Sequence, residues 1–260
     1  MLYFDNAATT WPKPAEVKNA VLSAMLYYGA NPGRSGHKMA METAERVFEC
    51  RERAAALFGC SEPENVVFTK NCTDSLNIAL KSAAAGGHCI ISDLEHNSVL
   101  RPLYDMQLHG EAAFSVAEVD LHNDERTLAN FEHAMRSDTK AIALTGASNV
   151  FGIKPPVLKI AKLAHEHGVL FILDAAQTAG AEKYNMERDG IDILCAPGHK
   201  GLLAPWAREF WRRKGRKCCI RCFLAEREAF RLILHSRRIC RKALKAALLM
   251  FRGYAGFPPE

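Results

Sequence analysis

The sequence predicts an α/β protein built on a mostly parallel sheet covered by helices. Three observations carry that prediction. An apolar run from Gly168 to Leu173 follows a helical pattern and stops abruptly at Asp174. A continuous run of that length reads as a strand buried on both faces. A second short run, Ile191 to Leu194, repeats the device and leads into a turn holding His199 and Lys200. Between residues 39 and 194, helix-period and strand-period segments alternate, which is the pattern of strands joined by helical crossovers.

Taken in order, residues 3–10 (YFDNAATT) are a short extended piece ending in small polar residues. Pro14 to Tyr28 reads as a helix: Pro14 suits its first turn, Val17, Val21 and Met25 share a face, and Gly29 closes it. NPGRSGH, Asn31 to His37, is a Gly/Pro loop, followed by a long helix from about Met39 to Phe58 that Gly59 caps. Asn65 to Thr69 reads as a strand, Thr73 to Ala84 as a helix and His88 to Ser92 as a strand with Glu95–Ser98 in its exit loop. The alternation runs on through Val116–Val119, Leu128–Met135, Ala141–Leu144 and Val157–His165. No internal repeat or low-complexity linker interrupts the chain before Pro205.

Composition bounds the partners. The start, MLYFDNAATTWPKP, has neither a basic region nor the apolar stretch of a secretory signal, and no apolar run approaches membrane-spanning length. The expectation is a cytoplasmic protein with no membrane partner and with its nine cysteines as reduced thiols. The net charge of +5 hides an asymmetry. Residues 206–260 hold 15 of the 34 basic side chains and 4 of the 29 acidic ones, a net +11, which leaves −6 for residues 1–205.

The chemistry concentrates at strand exits, where open α/β sheets place their working residues. Asp174 stands at one exit and Lys200 at the next. Alone, the Asp reads as a helix cap and the Lys as a solvated loop charge. Together they suit pyridoxal phosphate, which needs a Lys for its aldehyde and an Asp for its pyridinium nitrogen. TKNCTDSLN, Thr69 to Asn77, runs from a strand into a helix. That junction is an anion site through its exposed N–H groups, with Thr73 as a further hydroxyl donor or a simple N-cap. His96 can stack on a flat ring, Asn149 is a third strand-exit polar group, and Gln177 faces the same crevice from the first turn of a helix.

YFDNAATT, NPGRSGH, EHNS, SNVFG, LDAAQ and GHKG stand in the order found in class V aminotransferase-fold enzymes. The resemblance is closest to the cysteine desulfurases and the related selenocysteine lyases, and it covers residues 1–205. It implies the fold type I architecture of pyridoxal-phosphate transferases, a large domain with a mostly parallel seven-stranded sheet, here incomplete at the C-terminus. Residues 1–205 would be the cofactor-binding domain, with an N-terminal arm of about 1–30. By the same resemblance, Lys200 would bind the cofactor aldehyde and move the substrate α-proton, Asp174 would pair with the ring nitrogen, and His96 would stack on the ring. Asn149 and Gln177 would contact the phenolic oxygen. Thr73, the backbone around Cys72, and His199 would hold the phosphate, and Asn31 and Arg34 would lie on the substrate side. It also implies a cysteine or selenocysteine substrate, a protein sulfur acceptor and a homodimer. An aminotransferase or a selenocysteine lyase on the same scaffold is the alternative chemistry.

After Pro205 two features of the resembled family are missing: the nucleophilic cysteine loop and the C-terminal small domain. In their place stands WAREFWRRKGRKCCIRCF, whose basic and aromatic residues suggest nucleic-acid binding and whose Cys218–Cys222 cluster suggests metal. A shifted reading frame accounts for more. With one base restored before codon 206, Trp206–Phe210 can be re-read as Met-Gly-Thr-Gly-Ile, matching the family's Gly-rich continuation. In the same register Ala243–Gly253 becomes Ser-Phe-Glu-Ser-Gly-Thr-Pro-Asn-Val-Pro-Gly, another family segment. Residues 206–260 therefore read as out-of-frame translation with no native domain, no nucleic-acid partner and no metal. A basic-tailed nucleic-acid-binding relic is the alternative.

Overall fold

A computed structural model describes residues 2–33 and 36–205, and the backbone of a strand at 209–213. The remaining tail, with its CCIRC cluster, and Arg34 lie outside the described residues. Seven strands form one sheet: β1 (Val67–Thr69), β2 (His88–Ser92), β3 (Ala113–Ala117), β4 (Thr139–Thr145), β5 (Leu170–Asp174), β6 (Ile193–Pro197) and β7 (Glu209–Arg213). Their spatial order is β1-β7-β6-β5-β4-β2-β3. Neighbours from β3 through β2, β4 and β5 to β6 are parallel, and β7 runs antiparallel to both β6 and β1. The chain leaves β2 outward to β3 and then returns to the other side of β2 as β4. That reversal is a topological switch point, where the loops part to leave a crevice at the carboxyl ends.

The central strands are apolar because helices cover both their faces. Ile90, Ile142, Phe171, Leu173, Leu194 and Ala196 are almost wholly buried. The helices are α1 (Ala15–Ser23), α2 (Lys38–Phe58), α3 (Cys72–Ala83), α4 (Asn97–Leu108), α5 (Asp124–His133) and α6 (Val157–Glu166). On α6 the buried residues Val157, Ile160, Ala161 and Ala164 recur at three- and four-residue spacing, which is the stripe a helix lays on a sheet. Caps set the boundaries. His37 accepts the Ala40 N–H at the start of α2, and Gly59 ends it in the left-handed region (φ 64°).

Several boundaries differ from the sequence expectation for local reasons. The helix expected over 14–28 is α1 followed by a π-helical turn, Ala24–Tyr28. The strand expected from Asn65 begins at Val67, after a 3₁₀ turn at Pro63–Asn65. The strand expected at 116–119 lies at Ala113–Ala117, paired in register with β2. The expected strand 168–173 begins at Leu170, because Gly168 occupies positive φ (69°) at the end of the preceding helix. The expected strand 191–194 is shifted to Ile193–Pro197, since the Ile191 N–H bonds to the Met186 carbonyl in a turn. Helix α4 carries Pro102 in its interior, which disguises it in the sequence.

Residues 206–260 are expected to hold no native domain. Within them, a strand backbone at 209–213 fills the slot between β1 and β6. Two strand edges with unsatisfied backbone groups template such pairing for any extended segment that reaches them. The N-terminal arm is different: α1 has no buried residue, and Leu22, Met25, Leu26 and Tyr27 are exposed. Val17, Val21, Leu22, Met25 and Pro205 line an apolar groove there, with Lys13 and Lys18 beside it. Among the described residues no helix is long and apolar enough to cross a membrane.

Candidate cofactor site

The site is assembled from the carboxyl ends of β1, β2, β4, β5 and β6. Asp174, the last residue of β5, is 3 % exposed. Its Oδ1 accepts the Ala176 N–H at 2.9 Å and lies 3.9 Å from the Cys72 Sγ. Burial pushes its carboxyl above the usual Asp value. The Ala176 amide, the charges of His96 and Lys200, and the Cys72 thiol pull the other way. Asp174 thus caps its own turn, and its buried carboxyl feels a histidine and a lysine from neighbouring exits.

Lys200 lies in the turn after β6, and the N-terminal arm straps that turn down. The Thr10 N–H and hydroxyl donate to the His199 carbonyl at 3.1 and 3.0 Å, the Lys13 ammonium donates to the same oxygen at 2.6 Å, and the Thr10 hydroxyl also meets the Lys200 carbonyl. His199 Nδ1 is 3.2 Å from the Thr9 hydroxyl. Burial, then Lys200 and Lys13, hold the His199 imidazole below its usual pKa, so it is neutral at neutral pH. Two glycines permit the close backbone approach on the other side. A Cβ at Gly180, where φ is +84°, would stand 2.4 Å from the Gly201 carbonyl oxygen, and one at Gly201 would stand 2.3 Å from that of Ala179.

At the β1 exit the N-cap of α3 is Asn71 rather than Thr73: its side chain accepts the Asp74 N–H at 2.8 Å. Cys72 and Thr73 thus occupy the first turn, where amides point out of the helix. At the β2 exit His96 is the N-cap of α4. Its Nδ1 accepts the Ser98 N–H at 3.1 Å and lies 2.7 Å from the Ser98 hydroxyl, which fixes an otherwise exposed ring. Asn149 is exposed after β4. Gln177 was expected in a helix. It lies instead in a turn closed by the Thr178 and Ala179 N–H groups on the Ala175 carbonyl, and its Nε2 is 3.4 Å from the Ala7 carbonyl of the arm. Asn31 is exposed in the loop before α2, and among the described residues no hydrogen bond ties it to the Asp174–Lys200 group.

The sequence assigns no role to Glu95, although it stands in the EHNS segment. Glu95 Oε1 accepts the Ser92 hydroxyl at 2.6 Å and the Thr145 N–H at 2.8 Å, while Oε2 is buried with no partner among the described residues. The residue as a whole is partly exposed, but its carboxyl is enclosed. Burial first, and Asp174 in addition, push it up to about 8 against the Ser92 and Thr145 hydrogen bonds. An acid directly before a candidate ring-stacking histidine is the signal that could have found it. The strapping role of Thr9 and Thr10 is likewise not apparent from the sequence.

The donor set fits pyridoxal phosphate. It offers a buried anion for a ring cation, an amine for an aldehyde, a fixed imidazole face for stacking, and a helix N-terminus and a second imidazole for a phosphate.

Residues 2–206 match the family described as Aminotransferase class-V. A probable cysteine desulfurase of Methanothermobacter thermautotrophicus is 30% identical over 206 residues, which are 78% of this chain and 50% of that protein. The cysteine desulfurase IscS of Shewanella denitrificans is 32% identical, over 76% of this chain and 50% of the relative. The chain thus spans about half the length of these curated relatives. Among solved structures, SspA in complex with cysteine superposes with a TM-score of 0.74 at 27% identity, covering 82% of this chain and 61% of that one. The apo cysteine desulfurase of Thermococcus onnurineus gives 0.72 at 29% identity, covering 82% and 53%.

Proposed function

The chain belongs to the class-V aminotransferase family, and from that premise we propose that residues 1–205 are the cofactor half of a pyridoxal-phosphate enzyme of cysteine desulfurase type. The observation that carries the proposal is the convergence of Asp174, Lys200 and His96 from three strand exits, with Lys200 and His96 both acting on one buried carboxyl. Relatives and structural neighbours named as cysteine desulfurases support the same reading.

In this proposal Asp174 holds the protonated ring nitrogen, His96 stacks on the ring, and Asn149 and Gln177 meet the phenolic oxygen. The first turn of α3, with Cys72 and Thr73, holds the phosphate together with His199. When bound, the cofactor supplies the aldehyde for attachment and an electron sink for the substrate's α-carbon. Lys200 is the attachment amine and, once displaced, the base that moves the α-proton. The strap from Thr9, Thr10 and Lys13 fixes the backbone that carries it. Asn31 and Arg34 are assigned to the substrate side. Cysteine is the proposed substrate of the intact enzyme, with a protein sulfur acceptor and a homodimer as partners.

The substrate half is assigned to the segment that residues 206–260 displace. The end of the family match at residue 206 and the apolar groove at Val17, Val21, Met25 and Pro205 both support a shifted frame at that point. The chain as it stands is therefore proposed to release no alanine from cysteine. The test compares the purified chain with the product of the same gene carrying one added base before codon 206. From the second alone, cysteine is expected to yield alanine, its sulfur left as an enzyme persulfide that an added thiol reductant releases as sulfide. Equal activity in both, or no extended open frame after the added base, contradicts it.

A further inference from the structure

Among the described residues, Glu95 is the one enclosed carboxyl at the crevice that the proposed cofactor chemistry leaves unused. It links two strand exits. Its own loop leaves β2, its Oε1 accepts from Ser92 at the end of β2, and the same oxygen accepts from the Thr145 N–H at the end of β4. Thr145 is in turn the register partner of Asp174 on β5. The clamp therefore spans the switch point and ends one residue position from the carboxylate assigned to the ring.

We propose that Glu95 is a positioning residue for Asp174, clamping the β2 and β4 exits through Oε1 and coupling cofactor binding at Asp174 to the proton on its own carboxyl. The proposal rests on the cofactor reading above. Its electrostatic partners come from every neighbouring element. Asp174 on β5 repels the ionised form of Glu95. The Cys89 thiol on β2 feels Glu95 and is pushed up by burial to about 12, so it stays neutral. Around Asp174 stand His96, Lys200 and the Cys72 thiol, and the Cys195 thiol on β6 is held well above its usual value by burial and by Asp174. Among the described residues no cation is hydrogen-bonded to Glu95, and Asp174 is the charged group that acts on it.

The coupling has a defined sign. With the site empty, the Asp174 charge discourages a second negative charge, and Glu95 keeps its proton up to about pH 8. A ring cation on Asp174 neutralises that repulsion, so Glu95 loses its proton at lower pH when the ring is bound. By reciprocity the ring binds more tightly as Glu95 ionises. A Gln at this position keeps an oxygen for Ser92 and Thr145 but has no proton to lose. The titrations of Lys200 and of the ring are common to both proteins and cancel in their ratio.

The experiment titrates pyridoxal 5′-phosphate into the full chain and into Glu95→Gln and Glu95→Ala, reading the absorbance of the bound form at intervals from pH 6 to 9. The wild-type affinity relative to Glu95→Gln is expected to rise about tenfold across that range, as it would if ring binding moved the Glu95 titration down by about one pH unit. Glu95→Ala, which loses the clamp, is expected to bind more weakly than Glu95→Gln at every pH. A wild-type to Gln ratio that stays flat overturns the coupling, and Ala binding as well as Gln overturns the clamp. If Ala does not fold, the Gln ratio alone decides. Absence of any bound form in the wild type overturns the cofactor reading and this inference with it, whereas binding with a flat ratio overturns this inference alone.

Discussion

Replacing Glu95 by Gln should make the protein without cofactor more stable at neutral and alkaline pH, by an amount that grows with pH. The folded carboxyl titrates near 8 instead of its ordinary 4.5. Its folded pKa is raised, so the stability it allows is fully present below the unfolded value and is lost as pH rises from about 4.5 to 8. Every pH unit that separates the folded from the unfolded titration is worth about 1.4 kcal/mol. Integrated between pH 5 and 8, the wild type loses about 3.5 kcal/mol from this group alone. The variant avoids that loss but buries an amide where Oε2 now lies without a partner, a cost of about 1–3 kcal/mol that does not vary with pH. Urea unfolding followed by circular dichroism at pH 5, 6, 7 and 8 gives both curves. The variant should be equal or less stable at pH 5 and overtake the wild type by pH 8. Titrations other than those of Glu95 and Asp174 are shared, so the difference between the curves reports on Glu95 and its coupling to Asp174. Parallel curves would refute the reasoning.

Three further predictions follow from the same geometry. Asp174→Asn should weaken pyridoxal-phosphate binding by about 10- to 100-fold, the loss of a charge-assisted hydrogen bond. It should also stabilise the empty protein above neutral pH, because burial raises the native carboxyl; absorbance titration and urea unfolding check the two halves. Gly201→Ala should destabilise by about 1–3 kcal/mol and impair cofactor attachment, since its Cβ would stand 2.3 Å from the Ala179 carbonyl beside the Lys200 turn. An unchanged urea midpoint would contradict it. His88 is fully buried between the Thr139 and Ser115 hydroxyls, and burial lowers its pKa. The protein should therefore lose stability as pH falls below the ordinary value near 6.5. His88→Gln should flatten that acid limb in pH-dependent thermal melts.

What the sequence disclosed depended on how local each signal was. The strand leading to Asp174 is a contiguous apolar run that ends in a charge, so the residue and its place at a strand exit were legible together. The same holds for the turn of His199 and Lys200. Glu95 was not legible, because its Thr145 partner reaches it from another strand 50 residues on. The strap of Thr9 and Thr10 on the Lys200 turn closes over about 190 residues and leaves no local trace. Asn71 and Thr73 are both competent N-caps, and only backbone geometry chose Asn71. Helix α4 was hidden by its internal Pro102, and Gln177 reads as helical because the turn after β5 closes with the same hydrogen bonds a helix would begin with. Strand β7 could not be foreseen from its own residues, Glu-Phe-Trp-Arg-Arg, since what admits it is the pair of edges offered by β1 and β6.

The central claim is that Asp174 and Lys200 still form a cofactor site in this chain. Incubation of the purified protein with pyridoxal 5′-phosphate, followed by borohydride reduction and peptide mapping, tests it most directly. The account predicts a visible lysine-linked absorbance band, a reduced adduct on the peptide that contains Lys200, and loss of both in Lys200→Ala. A band that survives Lys200→Ala unchanged, or an adduct on a different lysine, would contradict it.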